Sequence, residues 1–177
     1  NYFDFGGLVS ISHYSDSGEV WDWSAYESIS FSYYNSVPES GTGDIETVIL
    51  RFCLSDYGSI DDSTYTGLGE YFYSWHHILE NEPGWNTITI PLVRIDDYFT
   101  GDGFNPTGWV GEAGNGVLDK DAIAGFHIEF ILDGYTTASD PDGSYYYGTI
   151  ILDDLKLSGL LNIYSGPVWH VAGYGSD

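Results

Sequence analysis

Short apolar or alternating runs, separated by stretches dense in Gly, Asp, Ser and Pro, limit most strongly how this chain can fold. Alternation with a period of two residues indicates half-buried strands, and no long segment has apolar residues at helical spacing. The runs are 7–12, 26–34, 46–55, 70–79, 86–92, 123–132 and 148–157, with a further candidate within LLNIY or PVWHV. We therefore expect an all-β fold, a jelly-roll β-sandwich of two antiparallel sheets.

The length of the chain predicts one domain spanning residues 1–177. Its 177 residues, 42% of them hydrophobic, are enough to bury a single core, and no repeat or linker divides them. Residues 159–177 are either a last strand or the start of a linker to a neighbouring domain. The absence of methionine, an initiator included, predicts a piece of a longer chain.

The charge of the chain excludes two classes of partner. Twenty-seven acidic residues stand against four basic ones, which gives a net charge of −23. Such a surface repels phosphate groups, so we expect neither a nucleic acid nor a membrane as partner, whereas divalent cations are favoured. Low lysine content, abundant Tyr, Gly, Ser and Asp, and the acidity of the chain together resemble a bacterial extracellular module, so we expect a secreted or cell-surface location.

Strand parity separates polar side chains from the core in two of the runs. In 46–55, Val48, Leu50, Phe52 and Leu54 form the predicted core row, which leaves Arg51 on the opposite face. In 123–132, the row of Phe126, Ile128 and Phe130 leaves His127 and Glu129 together, about 6–7 Å apart along the strand. We interpret Arg51, His127 and Glu129 as groups that hydrogen-bond a small polar ligand.

The run 70–79 has polar and apolar members on both faces. One row is Glu70, Phe72, Ser74, His76 and Ile78, and the other is Tyr71, Tyr73, Trp75, His77 and Leu79. We interpret Tyr73, Trp75 and His77 as outward-facing, because aromatic rings bury the apolar C–H faces of sugars while charged groups hydrogen-bond the hydroxyls. The alternative, in which these rings are core residues, stays open.

Five segments carry a resemblance to a known family: WDWSAYESISFSYYN, ETVILRFCLSD, PGWNTITIPL, DKDAIAGFHIEF and GTIILDDLKLSG. In this order, from Trp21 to Gly159, the chain resembles jelly-roll carbohydrate-binding modules of bacterial polysaccharide-degrading enzymes. The resemblance implies a galactose-binding-domain-like fold and a polysaccharide or oligosaccharide bound on the concave sheet. It also implies a non-catalytic module within a larger multidomain chain.

The pair Asp153–Asp154 lies inside the last predicted strand, where one carboxylate shares a face with apolar side chains. A buried carboxylate is costly unless it is paired. The resemblance implies a structural calcium ion, Ca2+, held by Asp153, an acidic residue near the N-terminus and backbone carbonyls, and calcium prefers such oxygen ligands. Asp4 and Glu19 are both candidates for the N-terminal ligand. Alternatively, Asp153 accepts hydrogen bonds from backbone amides.

A glycosidase or lyase is one alternative to a binding module. Glycoside hydrolysis needs two carboxyl groups about 5–9 Å apart. Glu129 and Asp133 share a face but lie about 13 Å apart along a strand. A lyase that uses His127 or a tyrosine together with Arg51 is the catalytic version that the residues still allow.

A structural or adhesive domain, stabilised by calcium and without a sugar ligand, is the other alternative. Excess acidic residues and long Gly/Asp-rich connections suit it equally well. The aromatic residues Trp109 and Tyr145–Tyr147 favour the binding module if they line the concave sheet, and the structural domain if they fill the bases of loops. We expect the binding module.

Overall fold

The fold is known from a computed structural model that describes residues 5–16, 19–35, 48–58, 69–78, 83–111, 114–133 and 151–159. These residues form two antiparallel sheets packed face to face, which confirms the predicted all-β sandwich. In this part of the chain, no helix reaches the length and hydropathy that crossing a bilayer requires.

The described residues contain eight strands. They are β1 (Phe5–Tyr14), β2 (Ser28–Asn35), β3 (Val48–Asp56), β4 (Glu70–His77), β5 (Gly84–Pro91), β6 (Asn105–Gly111), β7 (Ile123–Asp133) and β8 (Ile151–Ser158). The larger sheet has the order β1-β7-β3-β4-β6, and the smaller sheet has the order β5-β2-β8. The chain passes repeatedly from one sheet to the other, as it does in jelly rolls.

The main core lies between the two sheets. The predicted inward row of β3 is confirmed at Leu50, Phe52 and Leu54, which are fully buried. Phe52 stacks on Phe31 of β2, with ring centroids 5.6 Å apart, and so joins the sheets. Burying side chains of this size stabilises the fold by about 1.5–3 kcal/mol each.

The strand β6 was not predicted, because its sequence NPTGWVG has the Gly and Pro content of a loop. It pairs with the outer side of β4, where Pro106 lies opposite Phe72. An edge strand tolerates proline because one of its sides makes no ladder hydrogen bonds. The candidate strands in LLNIY and PVWHV, and the tail from residue 160 onward, lie outside the described residues.

The strand β8 contains a β-bulge at Asp154. Leu152 and Leu157 both pack against the core, although they are an odd number of residues apart. A register shift against β2 and a φ of 56° at Asp154 provide the extra residue. Asp153 and Asp154 are both exposed as a result. The expectation that one of these two carboxylates is buried is therefore wrong.

Candidate functional site

The pairing of the larger sheet brings the three predicted polar residues together. Arg51 on β3 lies opposite Glu129 on β7, and His127 is the next residue on the same face of β7. This face points away from the inter-sheet core, because its residues alternate with Leu50 and Phe52. Strand parity therefore placed these side chains on a common face correctly.

A series of hydrogen bonds runs across this face, and we call it the Arg51–Tyr14 network. The guanidinium of Arg51 donates to Oε2 of Glu129 through Nε and also forms an ion pair with it. Oε1 of Glu129 lies 3.1 Å from Nε2 of His127, and the hydroxyl of Tyr14 lies 3.0 Å from Nδ1 of the same ring. The hydroxyl of Tyr71 is hydrogen-bonded to that of Tyr14 and completes the network.

Neighbouring groups in the network shift the pKa values of Glu129 and Tyr14. Burial alone raises the pKa of Glu129, but the hydrogen bond from His127 and the charge of Arg51 together bring it below its usual value. Because Glu129 is ionised, Nε2 of His127 donates to it, while Nδ1 of the same ring is hydrogen-bonded to the Tyr14 hydroxyl. Burial, with the Tyr71 hydrogen bond adding to it, raises the pKa of Tyr14, so this phenol stays protonated.

The network is more buried than the expected solvent-facing groove. Arg51 is 7% exposed and Glu129 is 9% exposed, so this charged pair is buried. Tyr14 at the other end is 41% exposed, and His127 is partly buried between them. Parity across Ser10, Ser12 and Tyr14 is the signal that could have identified Tyr14, because β1 extends beyond the predicted run.

The aromatic row of β4 lies on the same face as the network, but most of it is covered. Tyr73 and Trp75 are buried, contrary to the expectation that they stand open to a ligand. Phe99 packs edge-on against Trp75 at 4.9 Å, and the Thr100 carbonyl accepts a hydrogen bond from the Trp75 amide. His77, at the end of the row, is exposed. The ligand contacts predicted for these three residues stay predictions.

One group of side chains in the described residues has the spacing of a metal site, but its chemistry does not fit. The ligand atoms of Cys53, His127 and Glu129 all lie within 4.8 Å of one another. Burial, with the charge of Glu129 adding to it, raises the pKa of the Cys53 thiol, whereas a metal requires the thiolate. Both oxygens of Glu129 are already bonded, and the adjacent Arg51 repels a cation.

The predicted calcium ligands are not brought together by the described residues. Asp153 Oδ1 accepts a hydrogen bond of 2.8 Å from the Asp154 amide, and Asp154 pairs with Lys156 at 2.6 Å. Within the described part of the chain, neither Asp153 nor Glu19 joins a group of three suitable ligands. Asp4 lies outside the described residues. Calcium at Asp153 therefore stays a prediction, because the described residues around Asp153 do not supply a set of calcium ligands.

A second aromatic surface, which the sequence analysis missed, lies on the outer face of the smaller sheet. Trp85 on β5 is 56% exposed and meets Tyr34 of β2 edge-on, with centroids 5.5 Å apart. Beside them, the hydroxyls of Ser32 and Thr87 lie 3.2 Å apart. We call these four residues the Trp85 platform. The alternation in WNTITI was the signal for Trp85.

The aromatic residues Trp109 and Tyr145–Tyr147 do not distinguish the binding module from the structural domain. Trp109 lies in β6, but its side chain is outside the described part of the structure, as are Tyr145–Tyr147.

Comparison with protein-family models, with curated proteins and with solved structures gave no match. The resemblance to carbohydrate-binding modules therefore depends on the ordered sequence segments alone. We accordingly infer a function for this chain from its own contacts.

Proposed function

We propose that this protein is a non-catalytic carbohydrate-binding module that binds a neutral polysaccharide or oligosaccharide on the outer face of its larger sheet. The Arg51–Tyr14 network carries the proposal. Its buried charged pair holds the imidazole of His127 in one orientation, and the imidazole in turn holds the half-exposed phenol of Tyr14. A site fixed before binding loses less conformational freedom when the ligand arrives.

The exposed end of the network offers the groups that sugars require. The Tyr14 hydroxyl lies at the exposed end of the network, and the exposed hydroxyls of Ser10 and Ser12 lie beside it on the outer row of β1. The partly exposed ring of Tyr71 packs edge-on against His127 at 5.8 Å and provides an apolar surface for a sugar ring. The hydroxyls can hydrogen-bond the hydroxyl rim of a hexose, and the aromatic ring can pack on its apolar face.

The setting of the module is part of the proposal. The net charge of −23 repels anionic polymers, which is why we propose a neutral glycan. The composition favours an extracellular location, within a larger chain that acts on polysaccharides or displays the module at a cell surface.

Two contacts favour binding over catalysis at this face. Both oxygens of Glu129 are occupied by neighbouring side chains, which leaves no free carboxylate oxygen in the network for acid–base work. Arg51 is already neutralised by Glu129 beneath the surface, so it is not positioned to offset the charge of a uronate. These contacts support a rigid binding surface rather than a glycosidase or a lyase.

The proposal is tested by screening an array of neutral and acidic polysaccharides, followed by calorimetric titration of the best ligand. We expect a neutral glycan to bind, and the Tyr71→Ala variant to bind it about tenfold more weakly, the size of a lost aromatic contact of about 1.4 kcal/mol. A reducing-sugar assay on the same glycan is expected to stay at background. An array without any bound glycan contradicts the proposal and favours the adhesive domain.

A further inference from the structure

Two acidic residues face each other at one end of the inter-sheet core. Asp56 at the end of β3 lies directly opposite Glu70 at the start of β4, which places their Cβ atoms about 5 Å apart. Asp56 is 0% exposed and Glu70 is 6% exposed. Both continue the inward rows that contain Leu54 and Phe72. Like charges at such a position destabilise a sheet unless something neutralises them.

Backbone amides hydrogen-bond both carboxylates of this pair, and the Gly58 amide is a further donor to Asp56. Asp56 Oδ2 accepts from the Asp119 amide at 2.9 Å, and Glu70 Oε1 accepts from the Gly116 amide at 2.9 Å. Asp56 Oδ1 is buried and has no hydrogen-bond partner. A buried carboxylate oxygen without a partner calls for an explanation, and a bound cation is one explanation that fits a carboxylate.

The basic residues of the chain make their contacts elsewhere. Arg51 pairs with Glu129, Arg94 pairs with Asp96, Lys156 pairs with Asp154, and Lys120 donates to the carbonyl of Tyr26. Burial raises the pKa of Asp56 to about 7, and the negative charges of Asp119 and Glu70 add to the effect. Two further carboxylates therefore add negative charge beside Asp56.

We propose that Asp56 and Glu70 bind a structural calcium ion at this end of the sandwich, distinct from any ion at Asp153. Calcium takes six to eight oxygen ligands, so the two carboxylates would be joined by backbone carbonyls and water. Asp119 contributes charge rather than a first contact, because the three carboxylates do not all meet within 4.8 Å. The ion joins the β3–β4 pair to the segment before β7.

The local packing holds that segment in place. Asn115 Nδ2 donates to Asp119 Oδ2 at 3.1 Å, so the segment is tied to itself as well as to Asp56. Gly58 leaves room for the Asp119 side chain, since a Cβ at this glycine would collide with the Asp119 carboxylate. These contacts keep a third negative charge beside the pair.

The test measures calcium binding by calorimetry and the melting temperature at pH 8, in calcium and in EGTA. We expect calcium to raise the wild-type melting temperature by roughly 5–10 °C. Asp56→Asn and Glu70→Gln are expected to lose both the heat of binding and the temperature shift. Asp153→Asn, the matched control on β8, is expected to keep them.

Three results overturn the inference. A wild-type melting temperature that is equal in calcium and EGTA means that the pair shares a proton instead of binding a cation. A calcium effect that survives in Asp56→Asn and disappears in Asp153→Asn places the ion at β8. If Asp56→Asn and Glu70→Gln do not fold, Asp119→Asn serves as the test, because it keeps both proposed ligands. This variant is expected to bind calcium several-fold more weakly than wild type. Unchanged calcium affinity in Asp119→Asn also overturns the inference.

Discussion

The two outer faces of the sandwich carry similar residue types in opposite states. On the larger sheet, the Arg51–Glu129 pair is buried and Trp75 lies beneath Phe99. On the smaller sheet, the Lys156–Asp154 pair is exposed and Trp85 stands open to solvent. Residue type alone therefore does not define a binding face. The degree to which neighbours fix and cover each side chain decides what it contributes.

The cause of the difference is the position of the strands. In the larger sheet, β3 and β7 have pairing partners on both sides, so their outer side chains are surrounded by those of β1 and β4. In the described residues the smaller sheet has three strands, and its central strand β2 presents Ser30, Ser32 and Tyr34 on the outer face. Trp85 lies on the edge strand β5, which pairs with β2 on one side, and it remains exposed.

The largest expected effect comes from breaking the buried pair. Glu129→Ala leaves the guanidinium of Arg51 buried without its carboxylate, so we expect the free energy of unfolding to fall by about 3–5 kcal/mol. Lys156→Ala breaks the exposed pair of the smaller sheet and is expected to cost about 0–1 kcal/mol. Urea unfolding of both variants measures the difference. Equal losses contradict the contrast between the faces.

A second, smaller effect concerns pH and His76 on the inner row of β4. Burial is the main cause that lowers the pKa of His76 to about 4 from 6.5; the charge of His77 adds to it and that of Asp102 opposes it. Between these values the unfolded chain binds a proton that the folded chain does not. Stability is therefore retained above pH 6.5 and falls as the pH drops toward 4, by up to about 3 kcal/mol.

The His76→Gln variant separates this contribution from other titrating groups, Asp56 among them. The side chain of His76 contacts Ser74, whose hydroxyl lies 3.0 Å from its Nε2, and a glutamine amide can replace that hydrogen bond. Thermal melts of wild type and variant from pH 4 to pH 8 give the difference curve. A difference that is constant across this range contradicts the prediction.

Much of the fold was predictable from the sequence because parity and turn composition are local signals. The seven runs correspond to β1–β5, β7 and β8, and the alternation around Arg51 and Glu129 identified their common face. The strand β6 was not predictable in this way, because its Gly and Pro residues are acceptable only at the edge that β4 provides. The bulge at Asp154 was not predictable from the sequence either, because a shift in register depends on the partner strand.

The candidate site was predictable in its membership but not in its exposure. Parity grouped Arg51, His127 and Glu129, yet the burial of that group depends on neighbouring strands that are distant in sequence. Tyr14 enters only because β1 pairs with β7, a contact between residues more than a hundred positions apart. The acidic pair of Asp56 and Glu70 likewise becomes visible only once the register of β3 and β4 is known.

The smallest expected effect belongs to the Trp85 platform, and it decides which face binds the glycan. Trp85 is more than half exposed, and its edge-on contact with Tyr34 is worth about 0.5–1.5 kcal/mol, so Trp85→Ala is expected to cost about 1 kcal/mol or less in unfolding free energy. We expect its glycan affinity, measured by the same calorimetric titration as for Tyr71→Ala, to stay within a factor of two of wild type. The hydroxyls beside Trp85, those of Ser32 and Thr87, bond each other, whereas the phenol of Tyr14 is held by the buried charged pair through His127. A loss of binding in Trp85→Ala, with Tyr71→Ala unaffected, would assign the glycan to the smaller sheet instead.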